Sequence, residues 1–328
     1  MLSTGIDHND RELLSLLQTG FPLTREPYVD LGLKLAITAE RVIDHIRNLK
    51  AKKIVRLISP VLEARKLGYQ STLVAMKITG NRIERAEQFL TSHEGVSHGY
   101  EREHDFNIWI TLSLPHKADL QSELQILSSH SGAEAIITLP ALKVFKLRTN
   151  FGLDEDSPAE ADITAGSTLP QMADLSTTDR LIINALQHDL PLTADPFAPL
   201  AKGLDMSIDT LLQHCHSLSQ RGIIRRYGAS INHYNAGYRA NALTCWIVPP
   251  GQVNSLGHKV ASFRQVSHCY ERKPAPPWRY NLFAMIHSPS KTGCRQIADK
   301  ISADSGLSGH AVLFSTKEFK KTRITYRV

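Results

Sequence analysis

Residues Asp10 to Ile78 align without a gap with Asp179 to Ile247 at a constant offset of 169. A chain that repeats itself over such a length folds as two copies of one module. Asp10-Arg11 falls on Asp179-Arg180, Pro22-Leu23-Thr24 on Pro191-Leu192-Thr193, Pro27 on Pro196, His45 on His214, Arg56 on Arg225, and Gly68-Tyr69 on Gly237-Tyr238. Further on, Val96-Ser97-His98-Gly99-Tyr100-Glu101-Arg102 matches Val266-Ser267-His268-Cys269-Tyr270-Glu271-Arg272 at an offset of 170. Between the copies, Phe151 to Thr178 holds six acidic residues and no Lys or Arg, so the overall +6 leaves +12 on the rest of the chain. The acidic stretch reads as a flexible, solvated linker over 151–175. The basic remainder suits an anionic partner such as nucleic acid or a polycarboxylate ligand.

The first half of each copy has helical periodicity. Arg11 to Gln18 is an amphipathic helix that ends before Pro22. A second helix begins near Pro27, and a third follows the N-cap Thr38 through Val42, Ile43, Ile46 and Leu49. The basic, β-branched KKIVRLI and its counterpart GIIRRYG read as the first strand of a wing, so each copy opens with a winged helix-turn-helix, over 1–66 and 176–236. The second halves, 67–150 and 237–328, alternate as β-α-β-β-α-β, the ferredoxin-like order. The expected class is α+β: a tandem duplication of a winged helix-turn-helix plus a ferredoxin-like βαββαβ module.

A period of two along Phe106 to Ser113 places Phe106, Ile108, Ile110 and Leu112 on one face and Asn107, Trp109, Thr111 and Ser113 on the other. Copy two repeats this, with Tyr280, Leu282, Ala284 and Ile286 on the apolar face that should pack on the helices and Asn281, Phe283, Met285 and His287 opposite. In the preceding strands His98, Tyr100 and Arg102 share a face, as do His268, Tyr270 and Arg272. If the two sheets face one another, a cavity lined by His, Tyr, Arg and Asn lies between them, and the copies form an intramolecular pseudo-dimer.

Other chemistries lack their ligands. Cys215, Cys245, Cys269 and Cys294 make no C-x-x-C pair, so no metal cluster is expected. His214 and His216, two residues apart on a helix, point in different directions. No apolar run approaches the roughly 18 residues of a membrane span. The N-terminus MLSTGIDHNDRELL lacks a basic region followed by an apolar core. A cytoplasmic protein without a membrane partner is expected.

A winged helix followed by β-α-β-β-α-β resembles the leucine-responsive regulators. VSHGYEREHDFNIWITL in copy one and VSHCYERKPAPPWRYNLFAMIHS in copy two, with RRYGASINHYNAGYRANALTCW and LFSTKEFKKT, are similar to the siroheme decarboxylases. The resemblance covers both copies. Copy one is similar to one subunit type of that heterodimeric enzyme and copy two to the other, so the chain resembles a natural fusion. The resemblance implies a carboxy-lyase that removes carbon dioxide from the two acetate side chains of siroheme, giving didecarboxysiroheme on the route to d1 heme or protoheme. It implies no cofactor and no metal site, since iron enters only with the substrate, and it leaves room for a further homodimer.

That chemistry needs a proton for the developing carbanion and removal of water from the carboxylate. A positioned acid contributes about 10²–10⁴-fold, and enzymes typically reach roughly 10⁶-fold or more, so remote binding energy must force desolvation. His98 and His268 are the first candidates for proton donor or partner of the reacting carboxylate, with pKa values that a buried anionic ligand would raise. Arg102, Arg272, Tyr100 and Tyr270 would hold carboxylates, supported by Asn107, Asn281 and Trp109.

The copies differ. His104 has no counterpart because copy two carries KPAPPWR there, His287 aligns with Ser113, and His233 aligns with Ala64. His104 and His287 are second candidates for catalysis; His233, Arg225 and Arg226 are further substrate-binding candidates. Either one copy processes both acetates or each handles one. The alternative is a tetrapyrrole- or small-molecule-responsive transcription regulator. It is disfavoured because copy one's third helix offers Arg41, Arg47, Asn48 and Lys50, whereas copy two's has no Lys or Arg from Leu204 to Gln220. A dimeric reader needs two competent helices, so DNA is not an expected partner.

Overall fold

The computed structural model describes residues 6–147, 170–231 and 240–328. Each copy opens with three helices: α1 (His8–Thr19), α2 (Pro27–Leu35) and α3 (Ala39–Ala51) in copy one. Copy two has α6 (Thr177–Leu186), α7 (Ala198–Gly203) and α8 (Ile208–Gln220). The duplication reaches the caps. Asp7 accepts the Asp10 N–H while Asp10 takes the Asp7 N–H, and Ser176 and Asp179 form the same box. Thr38 and Ser207 cap the third helices, each such cap contributing about 1 kcal/mol.

The two helical units share one core. Phe21 of copy one meets Phe197 and Tyr227 of copy two at ring-centroid distances of 6.5 and 6.0 Å, and Leu13, Leu17, Ile46, Ile182, Leu211 and Leu218 are fully buried around them. The hairpin expected of each wing does not close within a copy. Instead β1 (Val55–Leu62) pairs antiparallel with β6 (Ile224–Ile231), one strand from each copy, in a two-stranded ribbon. Pairing with the other copy hides an edge that a lone strand would expose.

The βαββαβ order holds in both copies. Copy one contains β2 (Tyr69–Lys77), α4 (Ile83–Ser92), β3 (Val96–Arg102), β4 (Ile108–Pro115), α5 (Leu120–Ser131) and β5 (Ala135–Leu147). Copy two contains β7 (Ala240–Trp246), α9 (Val253–Ser262), β8 (Val266–Arg272), β9 (Leu282–Ser288), α10 (Lys291–Ser305) and β10 (His310–Lys321). The sheets do not simply stack. The first part of β5 pairs with β2 and its second part, from Ala141, with β8; β10 pairs with β7 and then, from Ser315, with β3. Each last strand therefore crosses into the other copy, and the eight strands close into a barrel in the order β10-β3-β4-β2-β5-β8-β9-β7.

Alternation sends Ile108, Ile110 and Leu112 outward under α4 and α5, and Leu282, Ala284 and Ile286 outward under α9 and α10. Phe106 departs from the expected face. It precedes β4 and packs inside the barrel with Trp109, Trp278 and Phe283. Crossing strands are seated by aromatic knobs: a Cβ on Gly99 would fall inside the Phe319 ring, and one on Gly257 inside the Phe145 ring.

Residues 151–169 of the expected linker lie outside the described residues. Its end is docked rather than solvated: Ala173 N–H donates to the Lys66 carbonyl (2.9 Å) and Leu175 is buried. The last residues also leave the ferredoxin-like unit and return to the helical half. Arg323 donates to the Ser59 and Pro60 carbonyls (3.1 Å each), and Tyr326 exchanges two hydrogen bonds with Gln187. Among the described residues no helix is long and apolar enough to cross a membrane.

The knob arrangement predicts that Gly99→Val and Gly257→Val each destabilise the fold by about 1–3 kcal/mol, the usual range for overpacking. Gly203→Ala, where nothing lies within 4 Å, serves as the neutral comparison in thermal unfolding.

Candidate active site

β3 and β8 each carry a ladder of His, Tyr and Arg into the barrel. His98 stacks on Tyr100 at 6.4 Å with the Arg102 guanidinium 5.3 Å from the Tyr100 ring centre; His268 stacks on Tyr270 at 6.2 Å with Arg272 at 4.8 Å from its ring. The strand exchange fixes both arginines. Arg102 Nη1 donates to the Leu313 carbonyl of β10 (3.0 Å) and Arg272 Nη1 to the Leu139 carbonyl of β5 (2.7 Å), each reaching the other copy's last strand. Arg272 Nε is buried without a hydrogen-bond partner, a donor whose desolvation costs roughly 1–3 kcal/mol unless a ligand accepts from it.

These ladders line a single cavity of about 880 Å³ between the barrel interior, the β1·β6 ribbon and the C-terminal tail. That volume lies toward the top of the roughly 300–1,000 Å³ range for small-molecule sites. Six cationic side chains line it: Arg56, Arg102, Arg226, Arg272, Lys321 and Arg323, together with His98, His268 and His287; no Asp or Glu does so among the described residues. Trp109, Leu243, Phe283 and Met285 supply apolar wall. Arg56 Nη1 donates to the Lys321 carbonyl (2.7 Å). Burial, and then the nearby Arg226, pulls the Arg323 guanidinium down to about 10; burial also lowers the Lys321 ammonium, against the pull of Glu318. Glu318, outside the lining, pairs with Arg56 (3.6 Å) and Lys321 (3.7 Å), and a lining of six cations with no carboxylate among the described residues suits a polyanion.

Each first-rank histidine is held by the serine before it. His98 Nδ1 lies 3.0 Å from Ser97 Oγ and His268 Nδ1 2.7 Å from Ser267 Oγ, and Ser267 Oγ also lies 2.8 Å from His287 Nε2. Burial, reinforced by Lys321 and Arg56, pushes His98 down to about 4. Burial, then His287, His98, Lys321 and Arg225, pushes His268 down to about 3. Without a ligand both imidazoles are neutral at neutral pH, and substrate carboxylates would raise them.

The structure brings together His98, His268, His287, Tyr100, Tyr270, Arg102, Arg272, Trp109 and Arg226. Others fall elsewhere. Asn107 and Asn281 are clamps, not cavity donors: Asn107 accepts from the Ile78 N–H and donates to its carbonyl (3.0 and 2.8 Å), and Asn281 does the same to Val248 (2.8 and 2.9 Å). His104 Nδ1 accepts the Phe106 N–H (3.0 Å) and its ring meets Trp278 edge-on at 5.1 Å, outside the cavity lining. Arg225 turns behind the ribbon toward Glu63 (3.9 Å). His233 lies outside the described residues.

Sequence reasoning missed Arg56, Lys321, Arg323, Ser97 and Asn241 as lining residues, and Ser267 as the partner of His268 and His287. Lys321 sits within the LFSTKEFKKT segment, but only the strand exchange makes it the cross-strand partner of His98. The serines were hidden because a register shift between Val96 and His98, and again between Val266 and His268, interrupts the period of two. The cluster with metal-ligand chemistry, Asp7, Asp10 and His45, belongs to the helical half and is satisfied by its capping bonds and by the 2.7 Å contact of His45 Nδ1 with Asp10.

Depressed histidines have a stability signature. Unfolding restores their ordinary value of 6.5, so the unfolded chain takes up protons that the folded chain excludes. Stability is full above about pH 6.5 and falls as pH drops through the folded values. For His98 alone the loss is on the order of 3 kcal/mol by pH 4. Denaturant titrations from pH 7.5 to 4.5 should show this decline, and His98→Asn and His268→Asn should each flatten it.

Comparison with known proteins bears on this site. The family model described as AsnC-like ligand binding domain matches residues 66–146 and 235–320, and the siroheme decarboxylase NirDL-like HTH domain matches residues 10–56 and 179–225. A siroheme decarboxylase from Hydrogenobacter thermophilus is 36% identical over 316 residues, 96% of this chain and 94% of that protein. A siroheme decarboxylase alpha subunit from Desulfovibrio desulfuricans is 41% identical over 152 residues, 46% of this chain and 87% of the subunit. The crystal structure of siroheme decarboxylase NirDL in co-complex with an iron-uroporphyrin III analogue superposes with a TM-score of 0.74 at 32% identity, covering 98% of this chain and 95% of that one. The chain, two fused copies of a helix-turn-helix and an AsnC-like ligand-binding domain around one cationic cavity, belongs to the siroheme decarboxylase family.

Proposed function

We propose that the protein removes carbon dioxide from the two acetate side chains of siroheme, giving didecarboxysiroheme. The observation that carries this reading is the cavity with six cations, three histidines and no lining carboxylate among the described residues. It suits a large polycarboxylate with an apolar ring system. Family membership supplies the substrate class: the relatives are siroheme decarboxylases, and one was crystallised with an iron-uroporphyrin analogue.

The residues divide the work. Arg102 and Arg272, each fixed through Nη1 to a backbone carbonyl, aim a planar guanidinium at carboxylates. Tyr100 and Tyr270 keep those forks and the imidazoles in line. Binding the non-reacting carboxylates draws the reacting one into a site where it loses its water, and loss of carbon dioxide disperses that charge. The electron pair left on carbon takes a proton, so each acetate becomes a methyl group with one proton consumed and no oxidant or reductant. This reading needs no cofactor, and it places the four buried, unpaired cysteines in a reducing cytoplasm.

The regulator alternative fits less well. Lys50 of α3 is paired with Asp189 of the other copy (2.6 Å), and Asp209 of α8 takes Arg25. A phosphate-reading surface needs such cations available.

Anaerobic incubation with siroheme, followed by mass analysis of the extracted tetrapyrrole, should show successive losses of carbon dioxide. Unchanged mass with salt-dependent DNA binding would favour the regulator. Within this assay His268→Ala should lower turnover by about 10²–10⁴-fold while siroheme still binds. Arg272→Ala should weaken binding by about 10–100-fold, the worth of a charged hydrogen bond.

A further inference from the structure

The two ends of the cavity are chemically unequal. Lys321 on β10 is the cross-strand partner of His98, whereas the corresponding neighbour of His268 is Leu147 on β5. Arg56 joins the His98 end through its bond to the Lys321 carbonyl (2.7 Å). At the other end Ser267 Oγ bridges His268 Nδ1 (2.7 Å) and His287 Nε2 (2.8 Å). Copy one has no such bridge: Ser113 stands where His287 does and bonds Ser71 (2.6 Å), while Ser97 Oγ donates to the Thr111 carbonyl (3.4 Å).

A hydroxyl has one proton to give. Ser97 directs its proton at a carbonyl, so it accepts from His98 Nδ1–H, and His98 Nε2, protonated when a carboxylate lies beside it, is left to donate to that carboxylate. Ser267 lies between two imidazoles and can accept from one while donating to the other, in either direction. We propose that the proton replacing each departing carbon dioxide is delivered from the His268 end, along His287, Ser267 and His268, and that His98 with Lys321 and Arg56 holds a substrate carboxylate.

The step balances. The C–C bond to the carboxylate breaks, carbon dioxide leaves, and the electron pair stays on the side-chain carbon. That carbon takes the proton from His268 Nε2. The Ser267 hydroxyl proton moves to His268 Nδ1, and Ser267 is reprotonated from His287 Nε2–H. Imidazolium at His287 becomes imidazole, His268 changes tautomer, and a solvent proton resets the relay for the second acetate. His268 is the catalytic residue here; Ser267 and His287 are positioning residues that act through it.

The inference rests on the siroheme reading, and the test separates the two. Single-turnover decarboxylation and siroheme affinity are measured on the full chain, wild type first. A wild type that leaves siroheme unchanged removes the functional reading and the relay with it. With an active wild type, the variants judge the relay alone. Ser267→Ala should slow the saturated rate by about 10²-fold or more with little change in affinity. Ser267→Thr, which keeps the hydroxyl, should recover most of the rate. His287→Gln should reproduce the Ser267→Ala loss from the far end, with a melting temperature matching wild type. Lys321→Met should instead weaken affinity about tenfold or more and spare the saturated rate. A Ser267→Ala enzyme at the wild-type rate, or a Lys321→Met enzyme that loses rate and keeps affinity, would overturn the assignment.

Discussion

Each copy's last strand begins in its own sheet and ends in the other's, and this antiparallel exchange sets every other property of the site. A four-stranded βαββαβ sheet alone has two open edges. Carrying the second part of β5 onto β8 and of β10 onto β3 uses those edges, closes the barrel and satisfies the backbone with ladder bonds. The same crossing places Leu313 and Leu139 where their carbonyls hold Arg102 and Arg272. It also places Lys321 beside His98. The cavity is therefore a property of the pair of copies. This gives a physical reason for fusing them: a covalent link makes assembly of the halves intramolecular.

Local structure was legible because it follows local rules. The cap Thr38, Pro27 at the start of α2, and the alternation along β4 and β9 announce their elements wherever they sit. Repetition of His-x-Tyr-x-Arg marked one lining face of β3 and β8. Pairing between copies was not legible, because the pattern that makes a wing hairpin also makes the β1·β6 ribbon; which edge a strand finds depends on the other copy. The asparagines misled for a similar reason. Their period puts Asn107 and Asn281 on the cavity face, yet both stand at strand ends, where backbone groups of Ile78 and Val248 need partners. Phe106 likewise lies just before β4, where alternation no longer governs direction.

The electrostatics of the cavity follow from burial more than from pairing. Six like charges in one enclosed space oppose folding, and desolvation already lowers Lys321, Arg323 and Arg272 below their ordinary values. Glu318 offsets part of that cost at Arg56 and Lys321, and the arrival of a polyanion would offset the rest. The same arrival changes the histidines, since carboxylates next to imidazoles held at about 4 and 3 favour their protonated form. Substrate binding thus draws into the histidine cluster the proton that the proposed relay passes to carbon. The helix-turn-helix units, meanwhile, bury their copies against one another and support the ribbon that roofs the cavity, a structural use for a fold otherwise suited to DNA.

One shared cavity, rather than a separate pocket in each copy, is the central point, and binding stoichiometry tests it most directly. Anaerobic titration with siroheme, followed by the tetrapyrrole absorption and checked by native mass spectrometry, should saturate at one siroheme per chain. Saturation at two per chain would contradict a single site shared by both ladders.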